Sequence, residues 1–325
     1  MQTWKEAKLL AEGILDCKKR GVRCALLTIV SVRGSSYRKE GAKFLVTEEG
    51  EEICSISGGC LEKGLLDTAL EVINSNYPVL ERINMEEESS WGMWLGCPGE
   101  VDIYIEPLHF DDVMDAWVDA LITGEKFVLV KKLFSSEKLL VTEKSIVGSL
   151  LVAEEEAKAM IKEYGVRPYL KGDIFFDTLL RYPPVHIFGG GEEAHHFREI
   201  AQILGFEVFL HEPSEKVKMA EGSFVIVANH NLKADRLSLK QALMSEASYI
   251  GVVSSRKRFL KLSEGLDLDD RVYCPAGLDL GSFTPEEVAL SIMAEILKVY
   301  WGKTGESLRK VKQEVTHGIG SQGIL

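Results

Sequence analysis

The sequence has no long apolar segment and no recognisable secretion signal. No window approaches the ~18 consecutive apolar residues that a membrane-spanning helix requires. Its first residues, MQTWKEAK, lack the basic and then apolar layout of a signal peptide. They favour an amphipathic helix that buries Trp4, Ala7, Leu10 and Ile14. We therefore expect a cytoplasmic protein without a membrane span.

Cysteine is scarce and is not arranged for zinc or for a disulfide framework. The six cysteines include no Cys-x-x-Cys pair, and none has a histidine at a zinc-site spacing. A disulfide scaffold is also unexpected in a chain of this length without a secretion signal. The cysteines are therefore considered one by one as candidate functional residues. Cys60 and Cys97 stand out because both lie among glycines.

Basic residues are outnumbered, with 38 Lys and Arg against 50 Asp and Glu and a net charge of −12. Binding to a nucleic-acid backbone needs a basic surface, so we expect no nucleic-acid partner. Between Arg82 and Lys126 the sequence has no Lys or Arg but eleven acidic residues. This stretch is either a solvated acidic face or a docking face for a basic partner protein.

Length and composition predict two globular domains. A chain of 325 residues exceeds a typical domain of ~150 residues, and 46% hydrophobic residues suffice for two cores. Pro183-Pro184 stops any element before it and marks the boundary. We predict an α+β domain over 1–182, of which 111–182 is an extension, a Rossmann-like domain over 183–300, and a loosely ordered tail over 301–325.

Hydrophobic periodicity predicts the elements of both halves. The first half is predicted to have strands near 23–32, 42–47, 53–56, 79–85, 101–106, 126–134, 138–143, 146–152 and 174–182, with helices at its start, over 61–74 and 111–122, and up to about 164. The second half is predicted to have strands at 185–188, 207–210, 223–228, 249–253 and 272–274, with helices over 192–204, 235–245, 255–262 and 285–300. That alternation predicts a doubly wound parallel sheet covered on both faces.

A Gly-x-Gly-x-x-Ala sequence follows the first strand of the second half. Gly189 permits a tight turn, Gly191 lets the backbone approach a pyrophosphate at the helix start, and Ala194 allows close packing. Glu212, 21 residues after Gly191, is suited to accept hydrogen bonds from ribose hydroxyls. The pattern predicts a site for NAD or another nucleotide, or alternatively a Rossmann fold with an empty pocket.

Two further loops follow strands of the same predicted sheet, at the edge where parallel sheets bind ligands. One contains His230, a candidate catalytic residue whose alternative is a structural role. In the other, Ser255 is suited to cap a helix whose first turn begins with Arg256, which favours an anion site or simply a solvated basic helix.

In the first half, Gly58-Gly59-Cys60 comes directly before a helix. Unpaired N–H groups at a helix start favour a thiolate, so Cys60 is a candidate nucleophile or soft metal ligand, and otherwise an inert thiol. The loop that contains Arg33, Ser35, Ser36 and Arg38 offers hydroxyls and cations suited to a phosphate. Cys97 is a second soft ligand or a residue of a structural turn.

These motifs together resemble the XdhC/CoxI family of accessory proteins for xanthine dehydrogenase and carbon monoxide dehydrogenase. The resemblance is carried by GSSYRKEG at 34–41, SGGCLE at 57–62 and GCPGEVDIYIEP at 96–107, and in the second half by IFGGG at 187–191, YIGVVSSRKR at 249–258 and PAGLDLGSFTPEEVALSI at 275–292. Two positions differ from the family pattern, namely Pro98 in GCPG and the sequence Asn229-His230-Asn231.

The resemblance implies a protein that binds molybdenum cofactor, supports its sulfuration and delivers it to a molybdenum hydroxylase. It implies that the loops around Arg38 and Arg256 hold the phosphate and that Cys60, and less directly Cys97, faces the molybdenum. A cysteine desulfurase is the implied sulfur donor, and we expect a homodimer. The alternative is an NAD-dependent oxidoreductase, for which His230 is the one candidate acid or base.

Overall fold

The computed structural model describes residues 3–59, 61–84, 99–229 and 231–311. The chain divides into two compact units, Met1–Tyr182 and Pro183–Leu325. Within the described residues, no helix is both long and apolar enough to cross a membrane.

The first unit begins with an antiparallel five-stranded sheet that has helices on both faces. Helix α1 (Trp4–Arg20) is followed by β1 (Cys24–Gly34), β2 (Lys43–Thr47), β3 (Glu52–Cys54), α2 (Glu62–Ser75), β4 (Val79–Asn84) and β5 (Gly99–Pro107), in the sheet order β3-β2-β1-β5-β4. Leu27 of β1 belongs to the core beneath α2, whereas Leu26 belongs to the core beneath α1. Because residues 24–30 of β1 are buried on both faces, they are apolar except for Thr28 instead of alternating between apolar and polar.

A second antiparallel sheet completes the first unit. This part of the chain contains α3 (Asp112–Thr123), β6 (Phe127–Lys132), β7 (Lys138–Thr142), β8 (Ile146–Gly148), α4 (Glu154–Met160), β9 (Tyr169–Lys171) and β10 (Ile174–Asp177). The strands pair in the order β8-β7-β6-β10-β9. The sequence did not predict β9, and the strands predicted at 146–152 and 174–182 are shorter. A fully buried ion pair joins β2 to β10, with Lys43 Nζ 2.8 Å from a carboxylate oxygen of Asp177.

The second unit is a parallel sheet with helices on both faces, which confirms the predicted Rossmann-like class. It contains β11 (Val185–Phe188), α5 (Glu192–Ile203), β12 (Val208–His211), β13 (Phe224–Val227), α6 (Leu232–Leu243), β14 (Tyr249–Val252), α7 (Arg256–Leu262), β15 (Val272–Tyr273) and α8 (Pro285–Tyr300), in the order β12-β11-β13-β14-β15. The chain direction across the sheet reverses between β11 and β13, where such folds bind ligands. Helix α6 begins three residues before the predicted start because the Asn231 side chain caps it.

Candidate functional site

Three motifs that are distant in the sequence meet in the first unit. The Tyr37 ring lies against Gly58, where an added Cβ would be 3.5 Å from the ring. Gly99 packs on the backbone of the loop that follows β1. A Cβ added at Gly99 would overlap the carbonyl oxygen of Ser35 and would lie 2.8 Å from the carbonyl oxygen of Arg33. The loop after β1, the loop before α2 and the start of β5 therefore form one surface, which we call the loop junction.

The loop junction is organised by a carboxylate that the sequence analysis did not select. Glu62, the first residue of α2, is only 4% exposed. Its Oε1 accepts hydrogen bonds from the Ser55 hydroxyl (2.6 Å) and from the N–H groups of Ile56 (2.9 Å) and Ser57 (2.8 Å), and its Oε2 accepts from the N–H groups of Gly59 (2.9 Å) and Leu61 (3.1 Å) and from the Ser57 hydroxyl. Burial opposes ionisation, but the hydrogen bonds from Ser55 and Ser57 outweigh it and lower the pKa of Glu62 to about 2.

This network corrects one premise of the sequence analysis. We expected unpaired N–H groups on either side of Cys60, but those of Gly59 and Leu61 both donate to Glu62. An acidic residue in the first turn of a helix was the visible signal for this role, because such residues satisfy free N–H groups. Cys60 itself lies outside the described residues, and so does Cys97.

The two arginines of the first motif are paired with carboxylates. Arg33 binds Glu100 (2.8 Å) and both carboxylate oxygens of Asp102. Arg38 forms a two-pronged pair with Glu6 of α1, at 2.6 and 2.9 Å. Carboxylates of the same chain thus neutralise part of the positive charge that was predicted to favour a phosphate.

Arg33 is exposed although it is paired, whereas Arg38 is half-buried. Ser35 is exposed and Ser36 is half-buried. Gly58 and Gly59, on the neighbouring loop, are also exposed. The accessible surface of the loop junction therefore consists of hydroxyl groups, glycine backbone and the Tyr37 ring, with the arginine pairs at its margins.

The glycine-rich turn of the second unit borders a cavity of about 260 Å³. Gly189 lies at the reversal point of the sheet, where an added Cβ would overlap the Ala228 carbonyl oxygen. Gly191 precedes α5 with φ 96° and supplies no side-chain cap to its first N–H groups. Glu212, Glu215 and His211 line the opposite wall, and Glu212 is exposed. The structure therefore brings Gly189, Gly191 and Glu212 together as expected of a Rossmann turn.

A stacked histidine pair, which the sequence analysis did not single out, lies beside this cavity. His186 of β11 and His211 at the end of β12 stack with ring centroids 5.1 Å apart, and His186 Nδ1 is 2.9 Å from His211 Nε2. Burial, and then the neighbouring His211, lower the pKa of His186 to about 4. His211 Nδ1, buried and lining the cavity, has no hydrogen bond and lies 3.5 Å from a Glu215 oxygen.

Asp235 of α6 joins two loops at the carboxyl edge of the parallel sheet in the second unit. This carboxylate is 1% exposed, accepts from the Asn229 N–H (2.8 Å) and side-chain amide (3.1 Å), and forms an ion pair with Arg258. Ser255 caps α7 as predicted. Arg256 is exposed and has no ion pair within the described ranges, whereas His230 lies outside them.

The structure thus forms two groups of the candidate residues, one in each unit. The group in the first unit contains Arg33, Ser35, Ser36, Arg38, Gly58 and Gly59. The group in the second contains Gly189, Gly191 and Glu212, while Ser255 and Arg256 lie at the start of α7. In the portions that the structure describes, no three His, Cys, Asp or Glu side chains are grouped as a metal site.

Comparisons with known proteins match both units. Residues 17–84 match the family model "XdhC and CoxI family", and residues 185–296 match the model "XdhC Rossmann domain". A Bacillus subtilis relative, named as a probable subunit of xanthine dehydrogenase, is 26% identical, over 89% of this chain and 96% of the relative. An Escherichia coli relative named molybdenum cofactor insertion chaperone PaoD is 23% identical, over 86% of this chain and 84% of its own.

A solved structure is similar along most of the chain. It is a crystal structure described as a xanthine dehydrogenase from Bacillus halodurans, with a TM-score of 0.71 and 25% identity. The similarity covers 90% of this chain and 96% of that chain. The shared architecture therefore extends over both units and is not limited to the Rossmann-like part.

Proposed function

Because the chain belongs to the XdhC/CoxI family, we propose that it is an accessory protein that binds molybdenum cofactor as cargo and delivers it to a molybdenum hydroxylase of the xanthine dehydrogenase type. A maturation role is supported by the relatives, one of which is named a molybdenum cofactor insertion chaperone.

The observation that carries the proposal is the loop junction. Three of the motifs that define the resemblance lie far apart in the sequence, yet Tyr37 packs against Gly58 and Gly99 packs against Ser35. Glycine at 58 and 99 leaves room there for backbone and ring to approach closely. An accessible surface built from shared motifs is the expected place for a shared ligand.

The residues of the junction suit different parts of the cargo. The Ser35 and Ser36 hydroxyls supply hydrogen-bond donors for a phosphate or pterin. Arg33 and Arg38 contribute positive potential although they are paired. A thiol at Cys60 or Cys97 supplies a soft ligand for molybdenum. Ser255 and Arg256 are our candidates for an additional anion contact in the second unit.

The proposal is tested by producing the protein in cells with and without molybdenum-cofactor synthesis and analysing the bound material. Stoichiometric pterin with molybdenum, only from the competent cells, is the expected result. Cys60→Ala should bind or transfer less cofactor than the parent protein, while Cys274→Ala, a half-buried cysteine of the second unit, serves as the matched control. Transfer by Cys60→Ala equal to that of the parent would overturn the thiol's role.

We further propose that a cysteine desulfurase sulfurates the bound cofactor and that the protein acts as a homodimer in the cytoplasm. Light scattering at micromolar concentration should give twice the chain mass of 36.2 kDa. Incubation of the loaded protein with desulfurase and cysteine should increase the activity of the target hydroxylase. A monomer, or no gain in hydroxylase activity, contradicts the respective part.

A second candidate function is an NAD-dependent oxidoreductase, and one observation favours it. The cavity beside Gly189 and Gly191 is lined by Glu212 and His211. Those groups suit the hydroxyls of a ribose without a 2′-phosphate. Co-purified dinucleotide together with catalysed NADH oxidation would favour this function over the accessory role.

A further inference from the structure

The parallel sheet of the second unit has an open edge at β12. Among the strands that the structure describes, β12 pairs with β11 alone. The carbonyl oxygens of Glu207 and His211 accept hydrogen bonds from N–H groups at the two ends of β11, so the main chain of residues 207, 209 and 211 faces β11. Because successive residues of a strand alternate, the N–H and C=O groups of Val208 and Leu210 point to the open side.

The sequence of β12 lacks the features that usually keep a strand edge from pairing. Native edges are protected by charged side chains or proline, or are very short, and glycine weakens a strand. β12 consists of four residues, VFLH, and contains none of these. Among the described strands, every other sheet edge has such a feature, namely Glu52 in β3, Glu81 and Arg82 in β4, Gly148 in β8, Lys171 in β9, and a length of two residues in β15.

Apolar side chains are exposed on both faces of this edge. Strands β11, β13 and β14 are fully buried, as expected in a parallel sheet. In β12, by contrast, Phe209 is 40% and Leu210 is 38% exposed. These two side chains point to opposite faces of the sheet because they are adjacent in a strand. A neighbouring strand beside β12 covers both of them, whereas a partner packed on one face covers only one.

We propose that two copies of the chain pair through β12, antiparallel about a two-fold axis, and so join two five-stranded sheets. The proposal rests on the homodimer proposed above and deepens it by naming the interface. A register centred on Phe209 places Val208 opposite Leu210 of the partner subunit, so that the outward N–H and C=O groups of both residues bond to each other. It places Phe209 beside the partner's Phe209, where side chains approach closely. Such a contact is closed, because each copy uses the same strand.

The test is the dimer dissociation constant of the full chain, measured by sedimentation velocity. Phe209→Lys and Phe209→Glu each place two like charges beside one another across the axis, and each should raise the dissociation constant roughly 100-fold. An equimolar mixture of the two variants brings opposite charges together at the same position. The mixture should dimerise with a dissociation constant within about tenfold of that of the parent. This recovery excludes misfolding as the cause of the loss.

Phe283→Lys, at a 94% exposed position of the same unit, is the matched control and should leave the dimer intact. A dimer that persists in Phe209→Lys, or a mixture that stays monomeric, would overturn the proposal. Persistence rejects only this interface and leaves the homodimer standing. A monomeric parent rejects both, and the edge is then open to an extended segment of another protein. Cofactor binding is measured separately and is independent of these results.

Discussion

Single buried carboxylates organise the loops at both candidate surfaces. Asp235 receives two donors from Asn229 and pairs with Arg258, although it is 1% exposed. Removing such a group leaves its partners unpaired in a poorly solvated place, which costs more than the pair itself contributes. The loop after β13 and the start of α7 are therefore joined through this one side chain.

Asp235→Ala should lower the free energy of unfolding by roughly 3 kcal/mol. Urea denaturation measures the change, and Asp267→Ala, at an exposed position of the same unit, should change stability by less than ~0.5 kcal/mol. A loss for Asp235→Ala no larger than that of the control would show that the network contributes little.

The buried His186 predicts a dependence of stability on pH. Its pKa is lowered from 6.5 to about 4 in the folded protein, so the unfolded chain binds a proton in that range while the folded chain does not. The contribution of neutral His186 to the free energy of unfolding is therefore fully present above about pH 6.5. It is lost as the pH falls towards about 4, with a slope of at most ~1.4 kcal/mol per pH unit.

His186→Phe should remove this contribution, since a phenyl ring can stack on Phe209 as His186 does but does not titrate. Its unfolding free energy, measured by urea denaturation between pH 4 and 7, should fall less than that of the parent. His109→Gln, at an exposed position, should follow the parent. Parallel curves for the parent and His186→Phe would contradict the prediction.

At the scale of the elements, the end of β1 and the start of β5 depend on Gly99. Its Cα faces the main chain of Arg33 and Ser35, which cannot move aside as a flexible side chain can. Gly99→Ala should therefore destabilise the first unit by about 2 kcal/mol and weaken cofactor binding. Gly190→Ala has open space around it and should be close to neutral. Differential scanning calorimetry compares the two variants.

Most elements, but few of their connections, follow from the sequence. The strands of the second unit were predicted within one or two residues because each is a short apolar run bounded by turn residues. β9 was missed because three residues carry too little periodicity. The carboxylate partners of Arg33 and Lys43 lie 69 and 134 residues away in the sequence. A local sequence pattern cannot predict pairs that are so far apart. Glu62 and Asp235 were overlooked since an acid in a first helical turn is ordinarily solvated.

At the scale of the molecule, the division at Tyr182 and Pro183 predicts two independent folding units. Each unit has its own sheets and its own buried core. Residues 1–182 and 183–325, produced as separate chains, should each unfold cooperatively in urea. A separate chain that shows no cooperative transition would mean that it needs the other unit in order to fold.

The internal carboxylate at Glu62 also means that part of the loop junction is ordered without a ligand. Ordering a loop residue costs about 1–2 kcal/mol of conformational entropy, and in many binding loops the ligand itself must supply that ordering. Here the carboxylate of Glu62, which belongs to the same chain, orders the loop before α2. A ligand that binds at this surface would therefore not have to supply that ordering.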